Sequence, residues 1–139
     1  MRSLRVKSLL LLLLLTACSS KSSADDLTKE LQTVTSWAAT AQMVGDAWSR
    51  GNVPTAYAKQ TLSEAQQKLH QETDTLAHSS TLTQHRTLLA QLQRLASIVG
   101  QMSIAVEQKD HVAMSQHLKQ LSTQEQTLST LAKTAGGHQ

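Results

Sequence analysis

The 139-residue chain contains no phenylalanine, one proline and one cysteine, and its aromatic residues are two tryptophans and one tyrosine. A single cysteine excludes an internal disulfide and any metal site built from several thiolates. The longest apolar run, residues 9–15, is much shorter than the roughly 20 residues that a membrane-spanning helix needs. The stability of the folded chain must therefore come from side-chain packing.

The chain also lacks the short motifs of the common catalytic and cofactor sites. It has no Glu-x-x-His pair for a di-iron bundle, no Cys-x-x-Cys-His for covalent haem and no His-Glu-x-x-His for zinc. A glycine-rich phosphate loop and a Gly-x-Ser-x-Gly elbow are missing too. These absences predict a protein that is not an enzyme and that has no metal site.

The N-terminus has the pattern of an export signal. Arg2, Arg5 and Lys7 precede the run of leucines at 9–15, which gives a charged segment followed by an apolar one. As a helix, this run would span only about a third of a hydrocarbon core roughly 30 Å thick. We therefore expect the segment to direct export and not to remain as a membrane span.

Residues 15–18, Leu-Thr-Ala-Cys, stand directly after this apolar segment. They resemble the lipobox of bacterial lipoproteins, and the resemblance covers about the first twenty residues. It implies cleavage before Cys18, a diacylglycerol on the Cys18 thiol and a further acyl chain, such as palmitate, on the new amino group. This covalent lipid is the only cofactor we expect. The alternative is an ordinary secretory signal with an unrelated cysteine.

Cleavage would change the charge of the chain. The full sequence has 13 Lys and Arg against 10 Asp and Glu, and the first 17 residues carry three of the cations and none of the acids. The mature domain is then neutral, so it has no clustered positive charge for nucleic-acid binding. Where the cell has two membranes, Ser19 in place of aspartate implies sorting to the outer membrane, on its periplasmic side.

The remaining sequence divides into a tether, one domain and a tail. We predict a signal peptide at 1–17, the lipidated Cys18 with a flexible serine-rich tether at 18–24, a helical domain at 25–133 and a disordered tail at 134–139. The predicted partners are the membrane, through the lipid, and an envelope protein or a second copy of the chain.

Apolar residues recur at alternating steps of three and four, which indicates amphipathic helices. In the third helix the residues at these steps are His85, Leu88, Leu92, Leu95, Val99, Met102 and Val106. In the first they are Leu27, Leu31, Val34, Ala38, Ala41, Gly45 and Trp48. In the second they are Ala58, Leu62, Ala65, Leu69 and Leu76, with Glu72 on the same stripe, and in the fourth they are Met114, Leu118, Leu121, Leu128 and Ala132, with Glu125.

Three short breaks separate these helices. They lie at 51–54, with a glycine and the only proline, at 78–81, with Thr81 and Gln84 spaced as a capping box, and near Lys109, with Asp110 as a cap for the fourth helix. Short connections require antiparallel neighbours. The predicted fold is therefore an all-α, antiparallel, up-down-up-down four-helix bundle made of two helical hairpins.

In this topology the aromatic, methionine and several histidine residues collect toward the end remote from Cys18. The candidate site residues are Trp37, Met43, Trp48, Tyr57, Met102, His111, Met114 and His117. They can plug the end of the core, form a surface for a partner, or supply thioether and imidazole ligands to copper or haem. The leading hypothesis is a non-enzymatic envelope lipoprotein with a structural or protein-interaction role. The alternative is a carrier or sensor of a small ligand such as copper, haem or lipid.

Overall fold

A computed structural model describes residues 29–78 and 86–136, with side-chain burial given as far as 133. The chain divides into two compact units, Met1–Gln32 and Thr33–Gln139. Of the first unit only 29–32 are described, and they are helical. The predicted signal peptide, Cys18, the tether and the Thr81–Gln84 capping box lie outside the described residues.

The described residues are all-helical, with four helices packed against each other and no strand among them. Helix α1 covers 29–49, α2 covers Thr55–Ala77, α3 covers Arg86–Glu107 and α4 covers His111–Gly136. Helix α2 packs against α3, and α3 packs against α4. Helix α4 ends at Gly136, and residues 137–139 of the predicted tail lie outside the described residues.

The predicted apolar stripes form the core. Along α3, Leu92, Leu95, Val99, Met102 and Val106 are each no more than 1% exposed. The stripes of the other helices contribute Val34, Ala38, Ala41, Gly45, Trp48, Ala58, Leu62, Ala65, Leu69, Leu76, Met114, Leu121 and Leu128. Many of these residues are small, so neighbouring helices can approach closely and large side chains can fit between them.

Two turns follow the same backbone pattern. After α1, Gly51 has φ of 75°, and the amides of Gly51 and Asn52 donate to the carbonyls of Trp48 and Ala47 at 3.0 and 2.8 Å. This is the Schellman arrangement, which satisfies carbonyls that the helix end leaves free. The predicted glycine end of α1 is confirmed. Pro54 lies one residue before α2, with φ of −65°.

The turn between α3 and α4 uses the same arrangement without glycine. Lys109 has φ of 55°, and the amides of Lys109 and Asp110 donate to the carbonyls of Val106 and Ala105 at 3.1 and 2.8 Å. The Asp110 carboxylate then accepts from the Ala113 amide at 2.9 Å, which confirms it as the cap of α4. The Asp110 amide therefore donates to a carbonyl at the end of α3, while the Asp110 side chain caps the start of α4.

The two carboxylates predicted on apolar stripes are half-buried, and a neutral polar neighbour takes the buried position beside each. Thr73, next to Glu72, is 4% exposed and its hydroxyl donates to the Leu69 carbonyl at 2.7 Å. Gln124, next to Glu125, is 5% exposed. Both helices are thus rotated by about one residue at these points, so neither carboxylate is buried among apolar side chains.

Desolvation by burial raises the pKa of Glu125 above its usual value. The Gln42 amide faces this carboxylate, and in the orientation that satisfies both groups its nitrogen lies 3.0 Å from Oε2 and 3.3 Å from Oε1. Because the folded carboxyl holds its proton to a higher pH than the unfolded one, stability is lost as the pH rises through the folded pKa.

Glu125→Gln is therefore expected to raise the thermal unfolding midpoint slightly at pH 7, because the amide has no charge to desolvate and can still accept from Gln42. The effect is small because solvent screens a carboxylate that is only partly buried. At pH 3 both proteins are neutral at this position, so their midpoints should agree. Circular dichroism at the two pH values measures the difference, with Glu64→Gln on the exposed face of α2 as the control. A midpoint that falls at pH 7 would show that the charged form is stabilised.

Candidate functional site

Trp48 connects the two turns at one end of the bundle. It is 4% exposed, its Nε1–H donates to the Thr55 hydroxyl at 3.2 Å, and its ring stacks on His111 with centroids 4.2 Å apart and planes 7° apart. The contacts bring the last turn of α1, the start of α2 and the start of α4 together. We call this region, which holds residues 50–54 and 108–110, the turn-bearing end.

Below Trp48, the absent side chain of Gly45 leaves room for residues from two other helices. A Cβ at Gly45 would lie 2.7 Å from Cε of Met102, 3.1 Å from Sδ of Met114 and 3.1 Å from Cδ2 of Leu118. Met102 and Met114 are both 0% exposed. Their thioethers therefore pack as apolar core atoms and are shielded from ligands in the solvent.

The structure thus separates the eight candidate residues into groups. Trp48, Met102 and Met114 are buried, whereas Trp37 and His117 are half-buried and Met43, Tyr57 and His111 are exposed. Trp37 lies on α1 about 16 Å from Trp48 along the helix, at about 1.5 Å per residue. Nδ1 of His117 lies 3.1 Å from Oε1 of Gln120, so this histidine interacts along its own helix.

These contacts give no support to a copper or haem carrier, which stays a prediction. The two buried methionines face Gly45, whereas His111 lies outside them on the Trp48 ring. Within 29–78 and 86–136, no group of three or more His, Cys, Asp or Glu side chains could hold a metal ion. The buried residues Trp48, Met102 and Met114 instead support the surface around them.

That surface carries an unusual set of apolar side chains. The large hydrophobic residues that are exposed in the described part of the chain are Met43 (65%), Tyr57 (53%), Ile104 (52%) and Val112 (72%). Each of the four helices contributes one of them, and all lie within about two turns of the turn-bearing end. We call these four residues the apolar ring.

The sequence prediction included Met43 and Tyr57 but missed Ile104 and Val112. Single aliphatic residues are common in amphipathic helices, so neither Ile104 nor Val112 indicates a site by itself. The sequence could have identified both residues, because Ile104 and Val112 lie outside the apolar stripes of α3 and α4 that Met102, Val106 and Met114 define. A shallow groove of about 120 Å³ is lined by Ile104 together with Ala105, Ala113 and His117, among others.

No protein-family model, no curated protein and no solved structure matches this chain. Among the helices that the structure describes, none has both the length and the apolar character needed to cross a bilayer.

Proposed function

We propose that this protein is a membrane-anchored, non-enzymatic lipoprotein of the cell envelope that binds a partner protein through its turn-bearing end. The observation that carries the proposal is the apolar ring. Exposed apolar side chains are normal when scattered, but here one comes from every helix and all are at the same end. A protein partner would remove these side chains from water, and the buried Trp48 and methionines hold their backbones in place.

The anchor part of the proposal rests on the sequence. The lipobox-like residues 15–18 would place a lipid on Cys18, and the serine-rich segment after it would act as a tether. In a cell with two membranes, Ser19 favours the periplasmic side of the outer membrane.

We also propose the up-down-up-down arrangement of the helices. It is supported by three contacts between α2 and α3: Lys59 with Glu107 at 3.0 Å, Ser63 with Ser103 at 3.2 Å, and Gln66 with Gly100. The residue numbers of these contacts rise along α2 and fall along α3. Equal steps forward on one helix and backward on the other are what antiparallel packing requires. The short turns at 50–54 and 108–110 favour the same arrangement for the outer pairs.

Site-specific photo-cross-linking in intact cells tests the proposal. A photoreactive residue in place of Val112 should give one discrete cross-linked product, because this side chain is 72% exposed within the apolar ring. The same residue in place of Ser129, which is exposed near the other end of α4, is the matched control and should give none. The product should weaken severalfold when Ile104 and Tyr57 are replaced with serine.

The anchor is tested in the same cells. Cys18→Ser should move the protein out of the membrane fraction and should reduce the Val112 product if the partner is itself in the envelope. Equal cross-linking from Val112 and Ser129, or none from either, would refute binding at the turn-bearing end. A Cys18→Ser protein that stays in the membrane fraction would refute the lipid anchor separately.

A further inference from the structure

A second surface lies between α3 and α4 and contains none of the four residues of the apolar ring, although Gln101 lines both this surface and the groove beside Ile104. It is a groove of about 520 Å³, within the range of small-molecule sites in proteins. Its lining residues are Arg94, Ser97, Ile98 and Gln101 from α3 and Lys119, Gln120, Thr123 and Gln124 from α4. The groove therefore has two cations, several neutral hydrogen-bonding side chains and one apolar residue.

Among the carboxylates that the structure describes, none offsets the positive charge of the groove. Neither Arg94 nor Lys119 forms an ion pair with any residue in the described part of the chain. Helices α3 and α4 carry one carboxylate each, and both point elsewhere: Glu107 pairs with Lys59 on α2, and Glu125 faces Gln42 on α1. An anion entering the groove would thus meet two cations and, among residues 29–78 and 86–136, no competing acid.

The two cations lie at almost the same height along the bundle. The Gln124 amide donates to the Gln91 carbonyl at 3.3 Å, which sets the level of the two helices. Distances along the helices are counted from Gln91 and Gln124 toward the turn at 108–110, at about 1.5 Å per residue. On this count Arg94 is about 4.5 Å from Gln91 along α3, and Lys119 is about 7.5 Å from Gln124 along α4. The offset between them along the bundle is therefore only about 3 Å, and both line the same groove.

We propose that this groove binds an organic phosphate with a hydroxylated body. Two adjacent cations match the double negative charge of a phosphate monoester, and arginine and lysine are the common phosphate ligands. Ser97, Gln101, Gln120 and Thr123 are polar groups suited to hydroxyls on the body. Ile98 is 7% exposed and forms an apolar floor, while the buried Gln124 is held by Gln91.

The phosphate could come from a soluble metabolite or from the head group of a glycerophospholipid, and the chemistry at Arg94 and Lys119 is the same. The site is independent of the apolar ring, because Ile104 and Val112 are not among its lining residues. The inference consequently does not rest on the proposed protein partner, and either can fail without the other.

The test is a titration of the full chain, purified in a zwitterionic detergent, with sn-glycerol 3-phosphate at constant ionic strength. Amide chemical shifts in residues 97–101 and 119–124 should move together and saturate, whereas glycerol should leave them unchanged. Arg94→Gln and Lys119→Gln should each weaken binding about threefold to fivefold, as expected for partly exposed charge contacts, and the double variant about tenfold or more.

The matched control is the double variant Arg50→Gln with Lys68→Gln, which removes the same charge from α1–α2 surfaces. Arg50 is at the first turn, and Lys68 is on α2, which does not pack against α4. Affinity in this control should equal that of the parent protein. An equal loss in both double variants would mean diffuse electrostatic attraction that does not depend on the groove, and would overturn the proposal.

Vesicles of phosphatidylglycerol in phosphatidylcholine separate the two sources. Because a lipid on Cys18 would attach the chain to any vesicle, vesicle binding here means the binding that phosphatidylglycerol adds over phosphatidylcholine alone. Binding to the vesicles that sn-glycerol 3-phosphate displaces supports the groove and identifies a lipid head group as its ligand. Soluble binding without vesicle binding supports the groove and identifies a metabolite. Vesicle binding that sn-glycerol 3-phosphate does not displace, or shifts produced only by poly-glutamate, overturns the proposal in favour of a membrane surface or an acidic protein.

Discussion

Met102→Ala is expected to lower the free energy of unfolding by about 2–5 kcal/mol, which is the usual cost of removing a large buried side chain. Met102 is 0% exposed and lies where α1, α3 and α4 meet at Gly45. Alanine would leave a cavity there that helices held by two tight turns cannot readily close. Urea unfolding followed by far-ultraviolet circular dichroism measures the change, with the native helical signal showing that the variant folds.

Met43→Ala is the matched control, because it removes the same atoms from a side chain that is 65% exposed. Its effect on unfolding should stay within about 0.5 kcal/mol, as for most surface changes. The pair separates a packing role from a ligand role for the methionines. A loss below about 1 kcal/mol for Met102→Ala would contradict the core assignment and reopen the carrier hypothesis.

Gly45→Leu is expected to destabilise the protein by about 3 kcal/mol, at the upper end of the usual cost of overpacking a core. Even the first atom of the new side chain would lie 2.7 Å from Met102 and 3.1 Å from both Met114 and Leu118. All three must move, and both methionines have no exposed surface into which to move. The gain of about 1 kcal/mol in helix propensity over glycine offsets only part of the cost.

Combining the two changes gives a sharper test than either alone. If Met102 fills the space that Gly45 leaves, the leucine of Gly45→Leu should occupy the cavity left by Met102→Ala. The double variant should then be more stable than the sum of the single effects predicts, by about 1–3 kcal/mol, the range for residues in contact. Additive losses would show that the two residues do not share one space.

These results would also bear on function. A rigid core under Trp48 holds the backbones of the four helix ends, so the apolar ring keeps its arrangement before any partner arrives. A preorganised surface spends less free energy on ordering when it binds. Variants that loosen the Gly45 site are thus expected to weaken the Val112 cross-link even though they do not touch the ring.

Much of the local structure could be predicted from the sequence. The steps of three and four along α3 correctly identified Leu92, Leu95, Val99 and Met102 as core, because a helix of 3.6 residues per turn places them on one face. Gly51 and Asp110 were correctly identified as helix-end residues, since glycine adopts positive φ without strain and the aspartate side chain readily accepts from helix amides. These features depend on neighbours within one turn.

The candidate site was only partly predictable. Composition grouped Met43 with Met102 as residues of one type near one end, yet one is 65% exposed and the other 0%. Periodicity identifies the centre of a buried stripe, but its width depends on how closely the next helix approaches. The same limit applies to Glu72 and Glu125, where a rotation of about one residue buries Thr73 and Gln124 instead.

By itself, the sequence determined the helices, their apolar faces, the two turns and the resemblance to exported lipoproteins, because each depends on residues close together along the chain. Only the tertiary structure decided that the methionines of α3 and α4 meet at Gly45, that four helices each place one apolar residue around one end, and that Arg94 and Lys119 share a groove. Such groupings join residues from different helices, and their distances are set by helix packing, which local sequence patterns do not encode.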